Sequence, residues 1–380
     1  MPAALTIRVL DSIIRIEFEE TLSIEDIAYL TDPWASLRVD ATHCADATVL
    51  VALGAPPSAR AGGATKVVAG RTVEEVAESL SAAVTLLGIA HLHGRAILLH
   101  AAAIALPDGR VIGFIGPSGR GKTTASRALA QTFGYITDET LAILPDLSVI
   151  PYPKPLSILT GQPPKQSIGP ERLGMLPVPS VPLRLAALAL LDRRPHANAS
   201  VETVELAEAI LRIAPESSSL VSLPHPLGDL VDLIQATGGV RRVHYSDASS
   251  LSELVPQILA TQQPPVDGVE TVAPDDLDLA PYAAADASGN PDREGPSLYR
   301  RGSWSEALWI EDRVAVHRGV HVYLLDGLGP ALWRAADGRT LASLSAAVRR
   351  EVPPPPDVDV DAAIASQVAA MLDAGILIKE

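Results

Sequence analysis

Cysteine is almost missing from this chain: Cys44 is the single one among 380 residues. That excludes an internal disulfide framework and a cysteine-rich zinc site, and it suits a reducing compartment. Basic residues are also scarce, 30 Lys+Arg against 45 Asp+Glu, for a formal net charge of −15. A non-specific nucleic-acid binder, or a protein drawn to an anionic membrane, needs the opposite balance. Aromatic residues make up 4%. No apolar run reaches the roughly 18 uninterrupted residues that would span a bilayer. The first residues, MPAALTIRVLDS, have no basic start running into an apolar stretch. No secretory signal is therefore expected, and a cytoplasmic location is. Hydrophobic residues are plentiful at 47%, enough for a real core and incompatible with wholesale disorder. The length points to two or three domains.

The first ninety residues read as a small α/β portion. Ile7 and Val9, then Ile14, Ile16 and Phe18, alternate as strands with one buried face, and 47–52 is a further short strand. Thr72 followed by Glu75 has the spacing of a capping box. It opens a helix whose apolar positions Val73, Val76, Leu80, Val84 and Leu87 recur at three- and four-residue steps. Strands are predicted at 96–106 and 111–115, with a turn at Asp108-Gly109. A helix is predicted from Lys122 to about Gln131, a short strand at Tyr135-Ile136, a buried strand at 183–191, and a helix at 249–259.

Between 261 and 298 the composition changes. Asp267, Glu270, Asp275, Asp276, Asp278, Asp286, Asp292 and Glu294 face a single basic residue, Arg293. Pro, Ala, Gly and Ser fill most of the rest, so 261–301 is expected to be a disordered, self-repelling acidic linker. Order returns with three short predicted strands (307–310, 314–316, 320–325) and three predicted helices (328–336, 340–352, 359–374), the last stopped at Gly375. This is the element set of a small winged-helix domain over 302–380. Arg349 and Arg350 on its second helix would suit a DNA reader, but the acids around them leave no convincing phosphate footprint.

The most specific motif is Gly116-Pro117-Ser118-Gly119-Arg120-Gly121-Lys122-Thr123, which satisfies G-x-x-x-x-G-K-[ST] at every fixed position. Glycines let backbone N–H groups close around a β-phosphate where a Cβ would intrude. Gly116, Ser118, Gly119, Arg120, Gly121, Lys122, Thr123 and Thr124 are therefore the candidate nucleotide-binding residues. Lys122 would reach the β/γ-phosphates and Thr123 would offer its hydroxyl to Mg²⁺. The preceding apolar strand and following helix are the context the motif requires. ATP and Mg²⁺ are the expected cofactors. Asp138 and Glu139 form the nearest acidic pair; one is expected to serve as base and the other as metal ligand. His100, mid-strand upstream, reads on its own as a core histidine. Lys154 and Lys165, in a Pro-rich loop, read as solvated unless they meet a phosphate.

The order of His100, the Gly-rich loop and Asp138-Glu139 resembles the HPr kinase/phosphorylase family, in particular its shorter lasso-peptide-kinase-type relatives. The resemblance spans roughly 75–260 and is strongest over 98–160, where PYPKPLSI is also similar. It implies an α/β P-loop kinase domain at 91–260 that phosphorylates a Ser or Thr of a peptide or protein. It further implies Asp138 as the base, Glu139 as a metal ligand with Thr123, and His100 beside the transferred phosphate. Two features depart from the family: Glu139 stands where a second Asp is usual, and past Lys165 the second signature loop is absent, with only Arg172 and Arg184 as stand-ins.

The last 80 residues resemble PqqD and related recognition elements of ribosomally made, post-translationally modified peptides. The Asp337-Gly338-Arg339-Thr340 turn and the closing 371–377 segment carry that likeness. It implies a leader-peptide-binding winged helix in which a peptide strand adds beside 320–325 (Val320, Val322, Leu324) and meets the last helix at Ile364, Val368 and Leu372. Two functions stay open on the sequence. One is a peptide kinase carrying its own leader-binding module. The other is a non-catalytic scaffold that delivers precursor peptide to partner modifying enzymes. Neither nucleic acid nor membrane is an expected partner, and homo-oligomerisation is left open.

Overall fold

The computed structural model describes residues 3–55, 66–117, 119, 121–159, 161, 165–196, 198–272, 297–352 and 359–380. The chain is mixed α/β and divides into two compact units, one of 1–205, 216–224 and 232–265, the other of 206–215, 225–231 and 266–380.

The first unit begins with a four-stranded sheet in the order β1 (Ala4–Val9), β2 (Ser12–Phe18), β3 (Ala47–Leu53) and β4 (Lys66–Gly70). α1 (Ile24–Thr31) follows β2 and α2 (Val73–Leu92) follows β4. The predicted strand pattern holds: Ile7, Val9, Ile14, Ile16 and Phe18 are all buried in one core with Val76, Leu80 and Val84 of α2. The Thr72 hydroxyl caps α2 by accepting from the Glu75 N–H, while the Glu75 carboxylate accepts from the Arg71 N–H. α1 has a full reciprocal box between Ser23 and Asp26.

The same core takes in Leu98 and Ala142 from the following sheet and Tyr152 from the loop after its strand Val149–Ile150. That sheet uses β5 (Ile97–Ala105), β6 (Arg110–Ile115), β7 (Gly134–Thr137), β8 (Thr140–Ile143) and β9 (Val149–Ile150). α3 (Lys122–Leu129) sits between β6 and β7. A separate hairpin pairs β10 (Leu156–Ile158) with β11 (Gln166–Ile168). The sheet continues through β12 (Arg184–Arg193) and β13 (Ser200–Val204). α4 (Leu206–Ile213) and the first half of α5 (Pro226–Ala236), which come next in sequence, belong to the second unit, whereas β14 (Val240–Tyr245) and α6 (Leu251–Ala260) complete the first. The strand order is β13-β14-β12-β6-β5-β8-β9, with β7 also on β5. β12 runs parallel to both β6 and β14, while β5 is antiparallel to β6. β12 reads as a nearly continuous apolar run because central parallel strands are covered on both faces.

The second unit holds β15 (Glu270–Val272), β16 (Leu298–Arg301), β17 (Glu306–Ile310), β18 (Arg313–Arg318), β19 (His321–Leu325), α7 (Gly329–Ala335), β20 (Asp337–Thr340), α8 (Leu341–Glu351), α9 (Val360–Asp373) and β21 (Leu377–Lys379). The three predicted strands form one sheet with β15, in the order β15-β17-β18-β19, and the three predicted helices are all present. A second sheet, β20-β16-β21, was not foreseen. Its strands are three or four residues long and gain their partners only through tertiary contact, so no alternation announces them. β15 and β16 also place 270–272 and 298–301 of the 261–301 stretch in strands; 273–296 lie outside the described residues.

Trp333 centres this core, with Trp304 at 5.2 Å edge-on and Trp309 at 6.4 Å. Arg334 stacks over Trp309 at 4.4 Å. Glu306 is buried at the start of β17, where one carboxylate oxygen accepts from the Leu227 N–H at 2.6 Å in the first turn of α5. Gly375, in the left-handed region, ends α9: the Ile376 N–H reaches the Met371 carbonyl and the Gly375 N–H the Leu372 carbonyl. Among the described residues no helix is long and apolar enough to cross a membrane.

Candidate functional site

The Gly-rich loop leaves the C-terminal end of β6, which is held between antiparallel β5 and parallel β12. Gly119 and Gly121 have φ of +77° and +93°. A side chain at either position would be strained, so the loop's path depends on glycine there. Gly121 is also the N-cap of α3, so the helix begins on Lys122 and directs its first N–H groups at the loop. Ser118 and Arg120 lie outside the described residues.

A cleft of about 490 Å³ opens beside this loop. Gly119, Gly121, Lys122, Thr123, His100, Asp138 and Glu139 all line it. Seven of the residues singled out from the sequence thus meet in one place. Gly116 contributes its carbonyl, which accepts from the Lys122 ammonium. Thr124 is exposed on α3 and is not among the lining residues.

Two ion pairs stand at the cleft, Lys122 with Glu216 and Lys154 with Glu139. Lys122 is almost fully buried, with its Nζ 3.8 Å from Glu216. Burial lowers its pKa from the ordinary lysine range, and the nearby Glu216 and Asp138 carboxylates pull the other way. Asp138, just past β7, accepts from the Thr123 hydroxyl at 3.0 Å and from the Tyr135 hydroxyl at 3.0 Å. Tyr135 is buried, and burial followed by the Asp138 charge drives its pKa well up, so it stays a neutral donor. Glu139 pairs with Lys154 at 2.7 Å. Lys154 is buried rather than solvated, and Lys165 also lines the cleft.

Sequence reasoning missed the opposite wall. Ala77, Glu78, Ser81 and Ala82 of α2 face the loop, and Ser157 and Ser167 stand directly across from each other on β10 and β11. The small residues at 77, 81 and 82 share a helix face, which is the one signal that could have found them. The Tyr152 hydroxyl, 2.9 Å from the Thr85 hydroxyl, ties α2 to the loop that carries Lys154. Nothing local marks Glu216.

The oxygen pair of Thr123 and Asp138 fits a hard cation such as Mg²⁺, which takes few protein ligands when phosphates supply the rest. Among the described residues no group of three or more His, Cys, Asp and Glu side chains is placed to hold a metal by itself.

In the second unit, Val320 is 72% exposed just before β19, and Val322 and Leu324 are half-buried on that strand. Ile364 and Val368 sit in the core and Leu372 is half-buried beside it. The structure therefore does not gather these six residues into one surface; Ile364 and Val368 are spent on packing α9.

No family model and no curated protein matches the chain. Among solved structures, the Hpr(Ser) kinase/phosphatase from Coxiella burnetii matches 43% of this chain and 93% of its own, at 12% identity and a TM-score of 0.23.

Proposed function

We propose that this chain is an ATP- and Mg²⁺-dependent phosphotransferase acting on a Ser or Thr hydroxyl of a ribosomally made peptide. We propose also that its second unit is a PqqD-like winged helix that binds the leader of that peptide. The observation that carries the first half is the convergence of Lys122, Thr123, Asp138 and Glu139 on one cleft at the end of β6. Phosphoryl transfer asks for positioned cations, a metal held by a hydroxyl and a carboxylate, and a second carboxylate to receive a proton. The residues present answer each demand. Lys122 would hold the β- and γ-phosphates against the loop's N–H groups, and Thr123 and Asp138 would hold the metal's protein side. Mg²⁺, when bound, neutralises charge on the phosphates. The small-residue face of α2 leaves room for an acceptor chain opposite the loop.

The peptide half is supported by β19. It ends its sheet among the described residues, and His321 to Leu324 are exposed or half-buried. An added peptide strand would pair with its backbone, the usual way a sheet edge recognises an extended chain. α4 lies beside β19, so such a strand would meet α4 as well.

The test is mass spectrometry of a randomised Ser/Thr peptide mixture incubated with the full chain and Mg-ATP. A one-phosphate gain that disappears with Lys122→Ala is the expected result. Unchanged peptides and unconsumed ATP would overturn the kinase reading.

A further inference from the structure

The neighbouring carboxylates Asp138 and Glu139 are held in opposite ways. Asp138 is 7% exposed and both its oxygens are engaged, Oδ2 by the Thr123 hydroxyl and Oδ1 by the buried Tyr135 hydroxyl. The side chain of Glu139 is 37% exposed in the same cleft, and its Oε2 lies 2.7 Å from Lys154, whose own side chain is 6% exposed. Lys154 Nζ also donates to the Pro155 carbonyl at 3.3 Å, which fixes where the cation stands. A group that takes a proton from an incoming hydroxyl needs an oxygen the substrate can reach. A metal ligand needs the reverse: an oxygen beside the loop's Thr hydroxyl, locked in place.

We infer that Glu139 takes the acceptor's proton and that Asp138 holds the metal with Thr123, the reverse of the assignment the family resemblance implies. This inference rests on the phosphotransfer reading above. In the step, the acceptor hydroxyl oxygen forms a bond to the γ-phosphorus of ATP. The bond from that phosphorus to the β,γ-bridging oxygen breaks, and ADP leaves with the electron pair. The hydroxyl proton goes to Glu139. Lys154 is a positioning residue: its ammonium, 2.7 Å from Oε2, fixes where the Glu139 carboxylate stands in the cleft.

Two readouts on the full chain separate the roles. The first is the Mg²⁺ dependence of binding of a fluorescent ATP analogue, which needs no turnover. Asp138→Asn is expected to raise the Mg²⁺ concentration for half-maximal binding by about tenfold or more, and Thr123→Ala to move it the same way. Glu139→Gln is expected to stay within about twofold of wild type. The second readout is phosphate transfer to the randomised Ser/Thr peptide mixture. There Glu139→Gln is expected to lower kcat by roughly 10²–10⁴-fold with KM for Mg-ATP unchanged. For Lys154, Arg is expected to restore the kcat that Met loses. A Glu139→Gln variant that turns over at the wild-type rate, or that shifts the Mg²⁺ dependence while Asp138→Asn does not, overturns the assignment. A wild-type chain that binds Mg-nucleotide yet transfers no phosphate defeats the phosphotransfer reading and Glu139's role with it. The Mg²⁺ titration still decides Asp138's role in that event.

Discussion

The cleft beside β6 concentrates seven ionisable side chains, Glu78, His100, Lys122, Asp138, Glu139, Lys154 and Lys165. The edge of β19 offers backbone groups and a few half-buried apolar side chains. A phosphate cradle must place glycines, a lysine and a hydroxyl within eight consecutive residues, so its chemistry is written in local order. A strand edge presents N–H and C=O groups that any sequence supplies. The first kind of site is legible before folding; a strand edge, such as the one proposed at β19, becomes a site only when its sheet has formed.

The two regions should respond differently to substitution. The largest effect is expected at Trp333→Ala. It removes the centre of the second unit's core and should cost that unit about 3–5 kcal/mol. Urea unfolding followed by Trp304 and Trp309 fluorescence would measure it, with binding of the ATP analogue retained as the control. If nucleotide binding falls in step with the second unit, the two regions are not independent and the contrast breaks.

Lys122→Met comes next. Loss of a charge-assisted contact to phosphate should weaken nucleotide binding by about 1.5–3 kcal/mol, measured by titration. The same change should leave the thermal midpoint nearly level, because relief of the buried ammonium's desolvation cost is offset by the loss of its pairing with Glu216. A drop in both would mean that Lys122 supports the fold as well as the ligand.

A smaller effect is expected from pH. Burial lowers the pKa of His317 in β18. A buried imidazole that resists protonation stabilises the fold fully above the unfolded pKa of about 6.5, and that stability is lost as pH falls through the lower folded value. Glu306 is the opposite case: burial raises its pKa. Its contribution is present below the ordinary glutamate range and is lost as pH rises through the folded value. The difference between wild type and His317→Gln in urea midpoints from pH 7.5 to 5 isolates the first of these. A constant difference across that range would remove His317 from the account.

The smallest expected effect is at Val320→Asp. It is exposed, so unfolding free energy should change by no more than about 0.5 kcal/mol. Hydrogen exchange at the β19 amides on adding peptide would sharpen the contrast. Protection at β19 that the substitution removes is the expected outcome; protection elsewhere would move the peptide site off this edge.

Local order settled much of this protein. The alternation at residues 5–18, the cap at Thr72, the apolar run of β12 and the Gly-rich loop each follow from residues close in sequence, because backbone geometry sets their periods. Only tertiary structure decided the rest. It gave Lys154 to Glu139 and Glu216 to Lys122, brought the small face of α2 opposite the loop, built the β20-β16-β21 sheet, and spent Ile364 and Val368 on the core. The physical reason is that ion pairing, burial and short-strand pairing depend on distances between residues far apart in the chain. The division of labour between Asp138 and Glu139 is of that second kind. Their adjacency is in the sequence, but what each carboxylate touches is set by Tyr135, Thr123 and Lys154 in the folded chain.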